Sequence, residues 1–356
     1  MSEQIKIFKT TCPKEKPDQS NLGFGQYFTD HMFIMDYTAG KGWHDPRIVP
    51  YGPLSFEPSC MVFHYGQAIF EGLKAYKTND GRVLLFRPEK NMERTNISNE
   101  RICIPEIDVD FCVAAIKTLV NTDRDWIPQG KETSLYIRPF IIATDPFVGV
   151  RPSNKYMFII ILSPSGNYYK EGINPVNIYV EDKYVRAVKG GIGFAKTAAN
   201  YAASLKSQTE AKAKGFTQVL WLDGVKREYI DEVGTMNVFF VIDNEVITPA
   251  LNGCILPGIT RASTIELLRD NGYKVAEREI SIHEVFNAHA AGKLNEAFGT
   301  GTAAVISPIG GMTWGDKSIV INNGEIGKIS KLAYDTITGI QCGQLFDKYG
   351  WTVEVK

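Results

Sequence analysis

Residues 190–201 read GGIGFAKTAANY, and the place of Lys196 among Phe194, Ala195, Ala198 and Ala199 decides how the rest of the chain is read. A lysine stem in such small, apolar company points inward, and desolvation disfavours the ammonium, so a neutral amine is within reach at working pH. Three readings compete: a snorkelling lysine at a helix start, a phosphate-binding loop, and a Schiff-base nucleophile for a carbonyl carbon. The loop reading rests on Gly190, four residues, then Ala195, Lys196 and Thr197, one glycine short of G-x-x-x-x-G-K-[ST]. VLWLD, ending at Asp223, adds the look of a magnesium-holding strand. Both parts fail: Ala195 stands where the backbone needs glycine, and Asp223-Gly224 lies between two strand-like runs, as a hairpin turn does.

The chain has 356 residues, 44% hydrophobic and 22% charged, a composition suited to two globular domains. Its 39 basic and 40 acidic residues leave a formal charge of -1 with no long like-charged block, so neither nucleic acid nor an anionic membrane is an expected partner. The N-terminal MSEQIKIFKTTCPKEKPDQ lacks the apolar core of a secretory signal, and YMFIIIL at 156–162 is too short to span a bilayer. Six scattered cysteines without a C-x-x-C pair read as reduced thiols in a cytoplasm. Five dispersed histidines give no metal-ligand spacing, so no metal site is expected.

Along the first half, FTDHMFIMDY, LLF, TSLYIRPFIIA and YMFIIIL read as strands, and PEKNMERTNIS and DFCVAAIKTLV as helices, with Pro88 suited to a first helical turn. The Gly, Pro, Asn and Ser of SPSGNYYKEGINP mark a linker. In the second half, NIYVED leads to the lysine segment and a helix stopped by Gly215. The runs QVLWL, REYI, GTMNVFFVI and EVITP, broken by Asp223-Gly224 and Asp243-Asn244, predict antiparallel hairpins. Helices follow at ITRASTIELLRDNG, at SIHEVFNAHAAG behind a Ser281 to Glu284 capping box, and at KISKLAYDTITGIQCGQLFDKYG.

A Schiff-base lysine serving pyridoxal phosphate needs an acid for the pyridine nitrogen and a phosphate cradle. Glu232 in IDEVGTMNVFF, beside Asp231, is an acid entering an apolar strand, where the bland alternative is a satisfied strand-end carboxylate. In LPGITRAS, Gly258 precedes a helix whose first amides, at Ile259 and Thr260, suit a dianion. FGTGTAAV, 298–305, is a Gly/Thr loop able to bring backbone amides to an anion.

Taken in order, FGQYFTDHM, HYGQAIFEGLKAY, LFRPEKNMER, SLYIRPF, FAKTAANYAASL, QVLWLDG, EVGTMN, LPGITR and FGTGTAAV run nearly the whole length. With these segments the chain resembles the branched-chain amino acid aminotransferases, pyridoxal 5'-phosphate enzymes of fold type IV. The resemblance implies an α/β (α+β) fold with a smaller N-terminal domain (1–165), a linker (166–182) and a larger pseudo-barrel domain (183–356), the cofactor lying between the domains. It implies that Lys196 forms the Schiff base, that Glu232 keeps the pyridine nitrogen protonated and that Tyr201 contacts the ring oxygen. Arg94, the amides of Ile259 and Thr260, and Thr300 would bind the phosphate; Thr302 and Ala303 would meet the substrate carboxylate. Phe24, Tyr65, Phe70, Tyr136 and Tyr168 would line the side-chain pocket, with Arg138 near the carboxyl end. The implied activity is ping-pong transamination of L-leucine, L-isoleucine and L-valine with 2-oxoglutarate. The implied assembly is at least a homodimer, with Val148 and Val150 reaching the neighbouring subunit's pocket. Within the fold type, a D-amino acid aminotransferase and an aminodeoxychorismate lyase are the nearest rivals, and a non-catalytic pyridoxal-phosphate carrier is the rival from another class. Some mammalian relatives carry C-x-x-C after the Gly/Thr loop; here Ala304 and Ser307 stand instead, so no dithiol switch is expected there.

Overall fold

The apolar runs of the first half become one nine-stranded sheet in a computed structural model that describes residues 4–129, 133–166 and 173–356. Its strands are β1 (Lys6–Ile7), β2 (His31–Thr38), β3 (Gly42–Pro50), β4 (Ala68–Phe70), β5 (Leu73–Lys77), β6 (Val83–Phe86), β7 (Ser134–Ala143), β8 (Lys155–Ser165) and a final strand, Thr352–Glu354. The order across the sheet is β1, β3, β2, β8, β7, β5, β6 and the final strand, with β4 also on β7. All pairings but β1 with β3 are antiparallel. Helix α1 (Met61–Tyr65) precedes β4, while α2 (Pro88–Arg101) and α3 (Val109–Thr122) follow β6. Pro88 sits in the first turn of α2, and the Asp108 carboxylate caps α3 by accepting from the Phe111 N–H at 2.9 Å. Phe33, Leu85, Ile116, Leu119, Ile137, Phe158 and Leu162 are all fully buried in one core between sheet and helices.

The second unit is built on β9 (Val176–Glu181), β10 (Gln218–Leu222), β11 (Ile230–Val233), β12 (Asn237–Ile242), β13 (Glu245–Thr248), β14 (Lys274–Glu277), β15 (Leu294–Gly301), β16 (Val305–Trp314) and β17 (Lys317–Val320). The order is β11, β10, β9, β16, β15, β12, β13, β14, with β17 on β16. A tight turn pairs Val233 with Met236 through reciprocal 2.9 Å backbone bonds. That turn sets β11, one end of the path, against β12, so six strands curl toward closure, as the pseudo-barrel expectation requires. The predicted hairpins β10–β11 and β12–β13 are both antiparallel. Around the sheet run α4 (Ala198–Ala213), α5 (Ile259–Asp270), α6 (Ile282–Ala290) and α7 (Lys328–Gln341). Ser281 caps α6 by accepting from the Glu284 N–H at 3.0 Å, as the capping-box spacing predicts.

The chain's division differs from the expected boundaries in three places. Residues Ala195–Ala198 and Gly339–Lys356 group with Met1–Tyr168, whereas Tyr169–Phe194 and Ala199–Thr338 form the second unit. The lysine segment joins the first unit because Thr197 bridges to Ile69 and the Phe70 N–H donates to the Lys196 carbonyl at 3.1 Å. The expected linker 166–182 contains an ordinary strand, β9, hydrogen-bonded between β10 and β16 in the second sheet. Its alternating burial is that of a sheet strand, which the Gly- and Asn-rich residues before it disguise.

Candidate active site

In the first unit, Lys196 is held by its backbone: its N–H donates to Ser98 Oγ at 2.9 Å and its carbonyl accepts from Phe70. The side chain is half-buried, with Nζ 4.9 Å from the centre of the Phe70 ring. On the same ring lies the Arg138 guanidinium, 4.7 Å from its centre, and Arg138 Nη2 donates to the Tyr136 hydroxyl at 2.9 Å. Tyr136 meets Phe24 edge to face with centroids 4.8 Å apart. Gly72 permits this: a Cβ there would collide with the Tyr136 hydroxyl. Five of the expected residues, Phe24, Phe70, Tyr136, Arg138 and Lys196, therefore form one chain of contacts with an aromatic body and two cationic tips. Tyr65 ends α1, 39% exposed beside His64, and is not joined to that chain by any described contact. Val148 and Val150 are exposed, and Tyr168 lies outside the described residues.

Arg94, on α2, is buried and grips a residue that the sequence reading missed. Its Nε and Nη2 donate to the two carboxylate oxygens of Glu71 at 2.8 and 2.9 Å. Asn91 Nδ2, at 2.8 Å, and the Gly72 N–H, at 3.1 Å, complete the set around Glu71. Burial works to raise the Glu71 carboxyl; the Arg94 charge and hydrogen bonds outweigh it, with help from the Lys196 charge, and hold it below the ordinary carboxylate range. The signal in the sequence was a lone acid inside AIFEGLKAY. Its donors come from α2, twenty and more residues away, which spacing does not reveal.

In the second unit, Glu232 on β11 is buried, and its Oε1 accepts from the Leu256 N–H at 2.7 Å and lies 3.0 Å from Arg186 Nη2. Leu256 opens the short loop into α5, and its carbonyl accepts from Asn237 Nδ2 at 2.9 Å. Asn237 is paired in register with Thr300 on β15. The loop approaches so closely that a Cβ on Gly258 would collide with Asn237 Oδ1. No side chain caps α5, and α5 packs against β15. Thr300 Oγ1 is buried without a hydrogen-bond partner among the described residues. The expected phosphate ligands Ile259, Thr260 and Thr300 thus present an uncapped helix start and an orphaned hydroxyl, a donor set that suits a dianion. Tyr201 is half-buried on α4; Thr302 and Ala303 are half-buried in the turn between β15 and β16.

Asp223 is a turn residue, as the hairpin reading requires. Burial works to raise its carboxyl, but the N–H groups of Glu228, Lys226, Tyr229 and Val225 lower it to about 2. With its oxygens so occupied, it is no free magnesium ligand. Among the described residues there is no cluster of three metal-binding side chains and no helix long and apolar enough to cross a membrane.

The model of the amino-transferase class IV family matches residues 68–311. The chain is 62% identical, over 99% of its length and 97% of the relative's, to the branched-chain-amino-acid aminotransferase 2 of Bacillus subtilis. Its structure is similar to that of the branched-chain amino acid aminotransferase of Escherichia coli, with a TM-score of 0.77 and 27% identity, covering 92% of this chain and 99% of that one. It is similar also to a T.th. branched-chain amino acid aminotransferase complexed with N-(5'-phosphopyridoxyl)-L-glutamate, with a TM-score of 0.74 and 25% identity, covering 91% of this chain and 98% of that one.

Proposed function

Because the chain belongs to the class IV aminotransferases and, within them, to the branched-chain-amino-acid aminotransferases, we propose that it moves the amino group of L-leucine, L-isoleucine and L-valine to 2-oxoglutarate, reversibly, with pyridoxal 5'-phosphate as cofactor. The observation that carries this reading is the Leu256–Gly258 loop. It ties the buried Glu232 carboxylate to an uncapped helix start, and through Asn237 to the strand bearing the unpartnered Thr300 hydroxyl. A carboxylate and an anion cradle on one loop are what a phosphorylated, ring-protonated cofactor asks for.

When bound, the cofactor supplies an aldehyde for Schiff-base chemistry and a protonated ring that accepts electron density. Lys196 is the amine that would hold the cofactor's aldehyde, and the same nitrogen, once free and neutral, would serve as the base that takes the proton from the substrate Cα. One amine serves as tether and base. Glu232 would hold negative charge toward the ring nitrogen, and Tyr201 would donate to the ring oxygen. The Ile259 and Thr260 amides and Thr300 Oγ1 would hold the phosphate, with Arg94, oriented by Glu71, adding positive charge. Thr302 and Ala303 orient the substrate carboxylate. Phe24, Tyr65, Phe70, Tyr136 and Tyr168 receive an apolar side chain, and Arg138 with the Tyr hydroxyls receives the γ-carboxylate of the dicarboxylic partner, whose burial without donors would be costly. The chain acts as at least a homodimer, a reading supported by Val148 and Val150, 67% and 87% exposed. Free, scattered cysteines suit a reducing cytoplasm.

The test is a donor panel with 2-oxoglutarate as acceptor, scored by L-glutamate formed. The three branched-chain L-amino acids should react within roughly 200-fold of one another, since one methylene in an apolar pocket is worth only that much. Preference for D-alanine would place the chain with the D-amino acid enzymes; aspartate or lysine outperforming leucine would overturn the branched-chain assignment.

A further inference from the structure

Arg186 has no role in the reaction so far, yet it pairs with Glu232. Its guanidinium is buried, 8% exposed at the side chain, and Nη2 lies 3.0 Å from Glu232 Oε1. The same nitrogen donates to the carbonyls of Cys254, at 2.6 Å, and Gly193, at 3.2 Å. Those two carbonyls fix where the guanidinium stands, so its place does not depend on Glu232. The Leu256 N–H reaches the same oxygen, Oε1, at 2.7 Å. A buried carboxylate held on one oxygen by a backbone N–H and a permanent cation keeps one orientation and resists protonation.

Arg186 sets a positive charge against Glu232, and the other charges nearby are mostly negative. Asp231, the neighbour of Glu232 on β11, is buried with Oδ2 unpartnered among the described residues. Burial raises its carboxyl to about 6 against the lowering effects of Asn252 and Arg186. Asp231 also feels Glu232 and Asp223, and Cys254 feels Lys189 and Asp223 besides Asp231 and Arg186. Asp231 is the charged neighbour of Glu232 on β11, and without Arg186 its negative charge would push Glu232 toward the protonated form. A protonated Glu232 cannot oppose a charged ring nitrogen.

Resting on the reading of Glu232 as partner of the ring nitrogen, we propose that Arg186 is a positioning residue: it holds Glu232 ionised and fixed, so that a proton shared between the carboxylate and the cofactor ring resides on nitrogen. The residue acts through Glu232 and touches neither substrate nor ring. Arg186→Met removes the charge at similar length, Arg186→Lys keeps the charge but not the planar fork, and Glu232→Gln marks the Glu232 resonance by its loss.

Two measurements test it on the full chain. In cofactor-free protein labelled at glutamate carboxyls, Glu232 should titrate at least about one pH unit higher in Arg186→Met than in the parent, with Arg186→Lys between them. In protein loaded with pyridine-15N cofactor, the ring nitrogen should be protonated in the parent near neutral pH and lose that proton in Arg186→Met and in Glu232→Gln. If Glu232→Gln keeps the ring protonated, the assignment of Glu232 has failed, and the proposal with it. If Glu232→Gln loses the proton while Arg186→Met keeps it, Glu232 stands and Arg186 is only a structural arginine. An unchanged Glu232 titration in Arg186→Met equally overturns the proposal. Should Arg186→Met fail to fold, Arg186→Lys carries the test, and the absence of any shift in it overturns the proposal as well.

Discussion

Single charges in apolar company do most of the chemistry here, and they respond to substitution in different ways. Lys196→Ala removes tether and base together, so turnover should fall by at least about 10²-fold, measured by glutamate formation; a smaller loss would deny it the role of base. Glu71 behaves as structure. Its removal in Glu71→Ala takes away the bidentate carboxylate on the buried Arg94, which should destabilise the cofactor-free chain by about 3–5 kcal/mol in urea unfolding. Asp231 pulls the other way. Its folded-state carboxyl, raised by burial to about 6 from an ordinary 3.8, binds a proton more tightly than in the unfolded chain. The folded state therefore loses stability as pH rises from about 4 to 6, and the full penalty is present above 6. Asp231→Asn should raise stability in urea unfolding at pH 7, by about 1–3 kcal/mol, and change it little at pH 4. A shift of equal size at both pH values would show that the group does not titrate as placed. Lys196 was legible as a lone charge in an apolar run, and Glu232 as an acid at the entry of an apolar strand. Glu71 and Arg186 stayed hidden because their partners, Arg94 and Glu232, are distant in sequence and brought close only by packing.

Elements set the precision of the anion cradle. Helix α5 starts without a side-chain cap, an arrangement that leaves its first amides for a ligand, while α6 and α3 are capped in the ordinary way by Ser281 and Asp108. That contrast can be tested. Thr300→Val removes the orphaned hydroxyl at nearly constant shape; it should weaken cofactor affinity, by roughly 3- to 30-fold for one lost hydrogen bond to a charged group, and leave urea stability of the cofactor-free protein unchanged or slightly higher. Unaltered cofactor affinity would remove Thr300 from the cradle. Helix starts, the Ser281 cap and the two hairpins were readable because they depend on residues close in sequence, whereas the Glu284 half of the capping box is taken by Arg278. The strand β9 was hidden inside the expected linker, since its partners β10 and β16 lie far along the chain and the Gly-rich residues before it dominate local composition.

At the scale of the whole molecule, the sequence made two domains and their sheets legible, but not that four residues around Lys196 and the last eighteen residues group with the first unit. Backbone pairing of Thr197 with Ile69 decides the former, and the pairing of Thr352–Glu354 with β6 the latter; neither leaves a periodic trace. The proposed homodimer places the exposed Val148 and Val150 at its interface. Val150→Asp should raise the monomer fraction in sedimentation and lower turnover with leucine without lowering the urea midpoint; a dimer indifferent to this charge would place the interface elsewhere. The central claim, a pyridoxal-phosphate transaminase of branched-chain substrates, is tested most directly by the visible absorption of the purified protein. The expected result is a yellow protein whose band is bleached by L-leucine alone and restored by 2-oxoglutarate, with neither change in Lys196→Ala. A colourless protein that cannot be reconstituted with pyridoxal 5'-phosphate, or a yellow one indifferent to L-leucine, would contradict it.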